Sequence, residues 1–305
     1  MEKTVLRLVL NSLIIVIIVL VLLSFFTLLE RKVLGLGQVR KGPNKGIIWG
    51  LFQPLLDGFK LFMKGINLLS LGGLLNYYFS PMLGLSTVLF IWGLFSLVWG
   101  SGSMTHIFVI PILISSLLIY FFYLSGLFSG SVYGVLGSLR AAAQFLSYEC
   151  IVLLSFISMF GLLGSYLVPI LFVPFLISII FILLVFGVIM EVNRTPVDFV
   201  EGESELVSGL VTEMGGLSFS CLVLGEYGMM CFYSVFISEV MLQFCFDSMM
   251  FVLVFSLFFM WCFNWLRLSL PRSRCDLMMM LGWKVCLILI FLNMVMVYSM
   301  SMLLS

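Results

Sequence analysis

Charge is scarce in this chain. Asp, Glu, Lys and Arg make up 10% of its 305 residues, and His106 is its one histidine. A soluble chain of this length has to cover its surface with polar side chains. That scarcity, beside 63% hydrophobic residues and a mean hydropathy of +1.26, excludes a soluble globular domain. A net charge of +1 leaves no basic field to hold nucleic acid. No G-x-G-x-x-G follows a strand, and no Walker sequence or Ser–His–Asp set is present. The seven cysteines never form C-x-x-C, and nearly all fall in apolar runs. They read as inert buried thiols, not disulfides or metal ligands, and no iron–sulfur or haem ligand set can be drawn from them. His106, without neighbouring ligands, reads as an interfacial residue. If the chain takes part in electron transfer, partners must carry the electrons.

What is abundant is continuous apolar sequence. In hydrocarbon every backbone N–H and C=O must be bonded internally, which leaves helices or a closed barrel. The runs here are long and do not alternate with period two, so they select helices. The expectation is an all-α integral membrane protein with about eight transmembrane helices, near 5–29, 72–97, 106–127, 143–166, 169–190, 217–238, 248–268 and 281–303. The first run is too long for a secretory h-region and lacks a small-residue cleavage site, so it reads as a spanning helix. With no internal repeat and no low-complexity tail, residues 1–305 read as a single polytopic membrane domain.

Basic residues set the orientation. The first connection carries Arg31, Lys32, Arg40, Lys41, Lys45, Lys60 and Lys64; the third Arg140; the fifth Arg194; the seventh Arg267, Arg272 and Arg274, with Lys284 at its edge. The opposite face has only Lys3 and Arg7. The odd-numbered connections are therefore expected on the negative, inner side, and an even helix count puts both termini on the other. The richness in Met (20) and Phe (31) hints at a mitochondrial genome. In that case the basic face is the matrix face of the inner membrane and the termini lie in the intermembrane space.

Residues 47–64 do not span. Gln53, Asp57, Lys60 and Lys64 recur at helical spacing, and Trp49, Phe52, Leu55, Leu56, Phe59 and Phe62 fill the remaining surface. One polar stripe on an apolar cylinder describes an amphipathic helix lying in the interface, or one tucked against other helices. Pro43 and Asn44 suit its start, and Pro54 is expected to bend it.

The carboxylates carry the chemistry. Glu191, Asp198, Glu201, Glu203 and Glu205 crowd one connection, with Glu213 beyond it. Glu201 and Glu205, four apart, share a helical face. Crowded carboxylates near low dielectric resist ionising together, so such a loop is expected to exchange protons near neutral pH; a merely solvated acidic loop is the bland alternative. Glu149 and Glu226 fall inside predicted helices, where a charge costs a few kcal/mol (roughly 3) and marks a functional candidate. Glu30 closes the first run. Glu30, Glu149, Glu191, Glu213 and Glu226 describe a polar chain into the membrane, suited to protons and not to hydrolysis. On these residues alone a secondary proton or cation transporter ranks first, although repeats and broken helices at matching positions, its usual signs, are not seen. A passive anchor needs neither Glu149 nor Glu226.

Two stretches go further. Glu30-Arg31-Lys32-Val33-Leu34-Gly35, Gln38-Val39-Arg40-Lys41-Gly42-Pro43-Asn44 and Gln53-Pro54-Leu55-Leu56-Asp57-Gly58-Phe59-Lys60-Leu61 resemble the first matrix loop of the NADH-ubiquinone oxidoreductase chain 1 family. Arg194-Thr195-Pro196, Asp198-Phe199 and Glu201-Gly202-Glu203-Ser204-Glu205-Leu206-Val207-Ser208-Gly209 resemble its second signature. The resemblance covers essentially the whole chain, and the mitochondrial form is the nearer match. It implies a core membrane subunit of respiratory complex I, lining the ubiquinone tunnel where the membrane and peripheral arms meet. Ubiquinone would be the substrate. FMN, iron–sulfur clusters and NADH would be held by partner subunits, one of which carries the terminal cluster, and membrane lipid would surround the rest. By the same resemblance Arg31, Arg40, Asp57, Lys60 and Arg274 fall near the tunnel or its entrance. Glu30, Glu149, Glu191, Asp198, Glu201, Glu203, Glu205, Glu213 and Glu226 fall on an acidic path linking quinone chemistry to proton pumping. Arg194 and Arg31 are placed to answer charge on a reduced quinone. The chain departs from the family pattern at Val197 (Phe expected), Met214 (Tyr), Cys275 (Tyr) and Leu277 (Gln).

Overall fold

The computed structural model describes residues 2–45, 47–64, 74–99, 109–164, 173–192, 194–198, 214–243 and 249–304. Among these the regular structure is helical: α1 (Glu2–Gly37), α2 (Ile47–Gly50), α3 (Gln53–Met63), α4 (Leu74–Trp99), α5 (Val109–Ser115), α6 (Leu117–Leu127), α7 (Val132–Gly164), α8 (Val173–Glu191), α9 (Gly216–Gln243), α10 (Met249–Ser269), α11 (Cys275–Leu281) and α12 (Leu287–Leu304), the last two joined by a π-helical turn, Gly282–Cys286. Seven stretches are long and apolar enough to cross a membrane, and the shorter apolar helix Leu176–Glu191 stands where a fifth crossing is expected. The chain is an all-α integral membrane protein.

The differences from expectation are two breaks and several shifted helix ends. The third crossing breaks at Ser116 into α5 and α6. The hydroxyls of Ser115 and Ser116 take the carbonyls of Ile112 and Leu113 (2.5 and 2.6 Å), competing with the backbone ladder there. Helix α7 begins at Val132, ahead of the expected start at 143, and draws Arg140 into the helix. Helix α9 runs to Gln243 and encloses Glu239. The 47–64 segment is two pieces, not one bent rod. Trp49 and Gly50 take φ of 59° and 76°, and a Cβ on Gly50 would stand 2.6 Å from the Pro43 carbonyl oxygen. Pro54 sits at the start of α3, where its missing N–H costs nothing.

Helix α9 is the axis: 83% of its central window is buried, against 22% for α1 and for the final span. It packs on α1, α3, α4 and α10, while α7 packs on α6, α8 and α12, and α4 against α6 joins the two groups. Lipid tails are as apolar as leucine, so close approach, more than water exclusion, holds such helices together. Gly228 shows it: a Cβ there would lie 2.4 Å from Val88 of α4, and the Trp92 indole N–H donates to the Gly228 carbonyl at 3.3 Å. Phe156 of α7 meets Phe236 of α9 edge to face, centroids 4.5 Å apart.

Candidate functional site

Helix α1 carries Glu30 inside the bundle, 5% exposed. Its carboxylate forms an ion pair with Arg267 of α10, whose Nε also donates to the Thr195 hydroxyl at 2.8 Å. Leaving either charge there alone would cost several kcal/mol (about 3–5), so the pair fixes α1 against α10 as well as holding polar groups in place.

The residues after α8 are stitched down from three sides. Gln144 of α7, fully buried, donates to the carbonyls of Met190 (2.7 Å) and Val197 (3.3 Å). Ser273 gives its N–H and its hydroxyl to the Pro196 carbonyl, at 3.0 and 2.9 Å. Arg272 donates to the Asp198 carbonyl, with its carboxylate 3.7 Å away. Val197, standing where a Phe was expected, is fully buried beside Tyr148 and Ile290. These anchors swing Arg194 inward, where it pairs with Glu226 of α9 at 2.8 Å and lies over the Tyr227 ring, 4.6 Å from its centroid.

Two small cavities flank that pair. One, of about 20 Å³, is lined by Glu30, Arg194, Thr195, Asn264 and Arg267; the other, also about 20 Å³, by Ser115, Glu191, Glu226 and Tyr233. Each has room for one water, which needs roughly 10–15 Å³ measured this way. Val192 walls both. In the wall of the second cavity the Tyr233 hydroxyl donates to Glu191, and Ser115 lies 3.3 Å from the same hydroxyl. Ser116, next in the chain, reaches half-buried Glu149 of α7. The order from α1 inward is Glu30–Arg267, Arg194–Glu226, Glu191–Tyr233, Glu149.

A second group stays outside. Arg31 of α1 pairs with Asp57 of α3 at 2.7 Å, and Gln53 supports Asp57 at 3.0 Å. The polar side of α3 is thus turned towards α1, while Leu55, Leu56, Phe59 and Phe62 face outward. Arg40 bonds Gln38 at 2.7 Å and is exposed, as are Lys60 and Arg274, the latter preceding α11. Among the described residues no ion pair joins these three to the Arg31–Asp57 contact. Glu201, Glu203, Glu205 and Glu213 lie outside the described residues.

Sequence reasoning missed Tyr233, Glu239, Asn264 and the pairing role of Arg267. Glu239 is 7% exposed. It meets the criterion that singled out Glu226, but the expected helix ended at 238. Arg267 registered only as a topology-setting charge. Tyr233 and Asn264 left no signal among so many apolar neighbours.

A bundle of long apolar helices with paired ionisable groups along its interior defines a helical integral membrane protein with a polar axis. Residues 10–298 match a family model described as NADH dehydrogenase. The chain is 40% identical to NADH-ubiquinone oxidoreductase chain 1 of Locusta migratoria over 286 residues, covering 90% of each chain. It is 39% identical to that of Heterololigo bleekeri (86% of this chain, 87% of the relative) and 40% identical to that of Anopheles gambiae (90% and 89%). The chain belongs to the NADH-ubiquinone oxidoreductase chain 1 family, the subunits of that name in the complex I oxidoreductase.

Proposed function

We propose that this chain is the complex I membrane subunit that lines the ubiquinone route and passes the consequence of quinone reduction to proton translocation through its buried carboxylates. The observation that carries this reading is the Arg194–Glu226 pair: a buried ionisable pair whose arginine stands four residues along the chain from Asp198, itself held by Arg272, and whose glutamate shares a water-sized cavity with Glu191. Reduction of a quinone adds negative charge or takes up protons. Arg31, Asp57, Arg40, Lys60 and Arg274 supply the exposed polar contacts at the entrance, Arg194 the inner cation, and the outward apolar face of α3 a wall for an isoprenoid tail. The loop of Asp198, Glu201, Glu203 and Glu205 changes its charge with quinone turnover; Glu213, Glu226, Glu191 and Glu149 relay the change, with Glu30 held at the head of the line.

FMN, iron–sulfur clusters and NADH belong, on this proposal, to partner subunits of the complex, one bearing the terminal cluster. The membrane is the mitochondrial inner membrane, with the basic connections in the matrix. Glu203→Gln tests the coupling: in the assembled complex it is expected to slow both quinone reduction and proton pumping. Wild-type rates of both would overturn the proposal.

A further inference from the structure

Glu191 is held unevenly. One carboxylate oxygen, Oε1, accepts the Tyr233 hydroxyl; the other, Oε2, is buried and has no hydrogen-bond partner. Glu191 borders the cavity of about 20 Å³ that also touches Glu226, and both carboxylates are 7% exposed. Tyr233 itself is fully buried, stands on α9 two helical turns from Glu226, and has Ser115 at 3.3 Å behind its hydroxyl. The spacing of seven puts Glu226 and Tyr233 on one face of α9, so one helix presents both to Glu191.

We infer that Tyr233 is a positioning residue for proton transfer at Glu191: its hydroxyl occupies Oε1 and so reserves Oε2, the oxygen left without a partner, for the travelling proton. A phenol donates to a carboxyl oxygen whether the proton on the other oxygen is present or absent, so the clamp survives both states of Glu191. A single water in the cavity, accepting from protonated Glu226 and donating to Glu191 Oε2, completes the transfer: one O–H bond breaks at Glu226, one forms at Glu191, and the water is regenerated. Without the hydroxyl, Glu191 is free to turn, and the proton settles on either oxygen. The inference rests on the proposed proton path and adds to it a residue outside the carboxylate line.

The test uses the assembled complex in proteoliposomes, with Tyr233→Phe and Glu191→Gln compared with the unaltered protein and every signal normalised to complex recovered on a native gel. Tyr233→Phe is expected to lower proton pumping about tenfold, the scale of one hydrogen bond to an ionisable group, and to shift the infrared carboxyl band that Glu191→Gln removes. A merely packing role for Tyr233 would leave that band where it is. Where Tyr233→Phe assembles poorly, the reciprocal reading serves: Glu191→Gln is expected to move the C–O stretch of a buried, isotope-labelled tyrosine. If Glu191→Gln abolishes pumping while Tyr233→Phe pumps normally with an unshifted band, or while no tyrosine band moves, the role of Tyr233 is overturned and the path stands. Normal pumping in Glu191→Gln overturns the path itself, and Tyr233 with it.

Discussion

The Arg194 guanidinium meets two adjacent residues of α9 at once, 2.8 Å from the Glu226 carboxylate and 4.6 Å from the centre of the Tyr227 ring. The side chains of the ion pair are 13% and 6% exposed, so water screens little of the attraction and compensates neither charge alone. The same cation ties the end of α8 to the central helix. Structure and electrostatics are therefore coupled at this point: a change in the charge of Glu226 is felt by the segment that leads into the acidic connection.

Glu226→Gln strands the buried Arg194 charge, and the expected cost is about 3–5 kcal/mol. The double variant Arg194→Gln, Glu226→Gln removes both charges and is expected to recover much of that loss, while pumping stays depressed in both. Thermal half-life of the detergent-solubilised complex measures the first effect and proteoliposome pumping the second. Additive losses in the double variant would show that the two side chains do not depend on each other.

Glu30 and Arg267 make a matching case between α1 and α10. Arg267 serves Glu30 and Thr195 together through separate nitrogens. Arg267→Lys keeps the charge but offers no planar fork, and is expected to cost about 1–2 kcal/mol, the size of the lost hydrogen bond. Arg267→Gln leaves Glu30 charged and buried, and is expected to cost about 3–5 kcal/mol. Equal accumulation of the two variants on native gels would deny the pair its charge dependence.

The eight apolar stretches were legible because hydrocarbon demands uninterrupted runs; each has helix along it, though the third is broken at Ser116 and the fourth helix starts at Val132, well ahead of 143. Charged residues misled where a helix absorbed them: Arg140 looked like a connection, yet α7 continues through it. Glu149 and Glu226 stood out because a carboxylate in an apolar run is costly, Glu30 because it closes such a run and Glu191 because it opens a crowded acidic connection. Their partners did not. Arg267 lies 237 positions from Glu30 and Tyr233 lies 42 from Glu191, and neither distance leaves a local pattern. Asn264, 1% exposed, was one amide among aromatic residues until α10 turned it towards a cavity with Glu30 and Arg194.

Gly228→Ala tests the contact between α9 and α4. The added methyl meets Val88 Cγ1 at 2.4 Å, and the Trp92 hydrogen bond to the Gly228 carbonyl holds the helices at that spacing. Overpacking of this kind costs about 1–3 kcal/mol. Val88→Ala in the same chain is expected to restore stability by making room, although each change alone destabilises. A thermal melt of the complex reads the cycle, and a Gly228→Ala melt equal to the unaltered protein would mean the helices stand farther apart.

Arg31 and Asp57 separate bracing from substrate handling. Their side chains are 54% and 33% exposed, so the ion pair contributes at most about 1 kcal/mol to stability. Asp57→Asn keeps one acceptor oxygen for Arg31, and a flip of the Gln53 amide lets its oxygen accept from the new NH2, so the melt of the complex is expected to move little. If these residues border the quinone entrance, freeing Arg31 from its charged partner perturbs the approach of the head group, raising KM for a short-tailed quinone several-fold with kcat held within about twofold; about 1 kcal/mol corresponds to roughly fivefold in binding. An unchanged KM would detach the Arg31–Asp57 contact from the quinone route and leave it as the clasp that docks α3 on α1. The entrance would then have to be sought among Arg40, Lys60 and Arg274, the exposed cations that this pair does not engage.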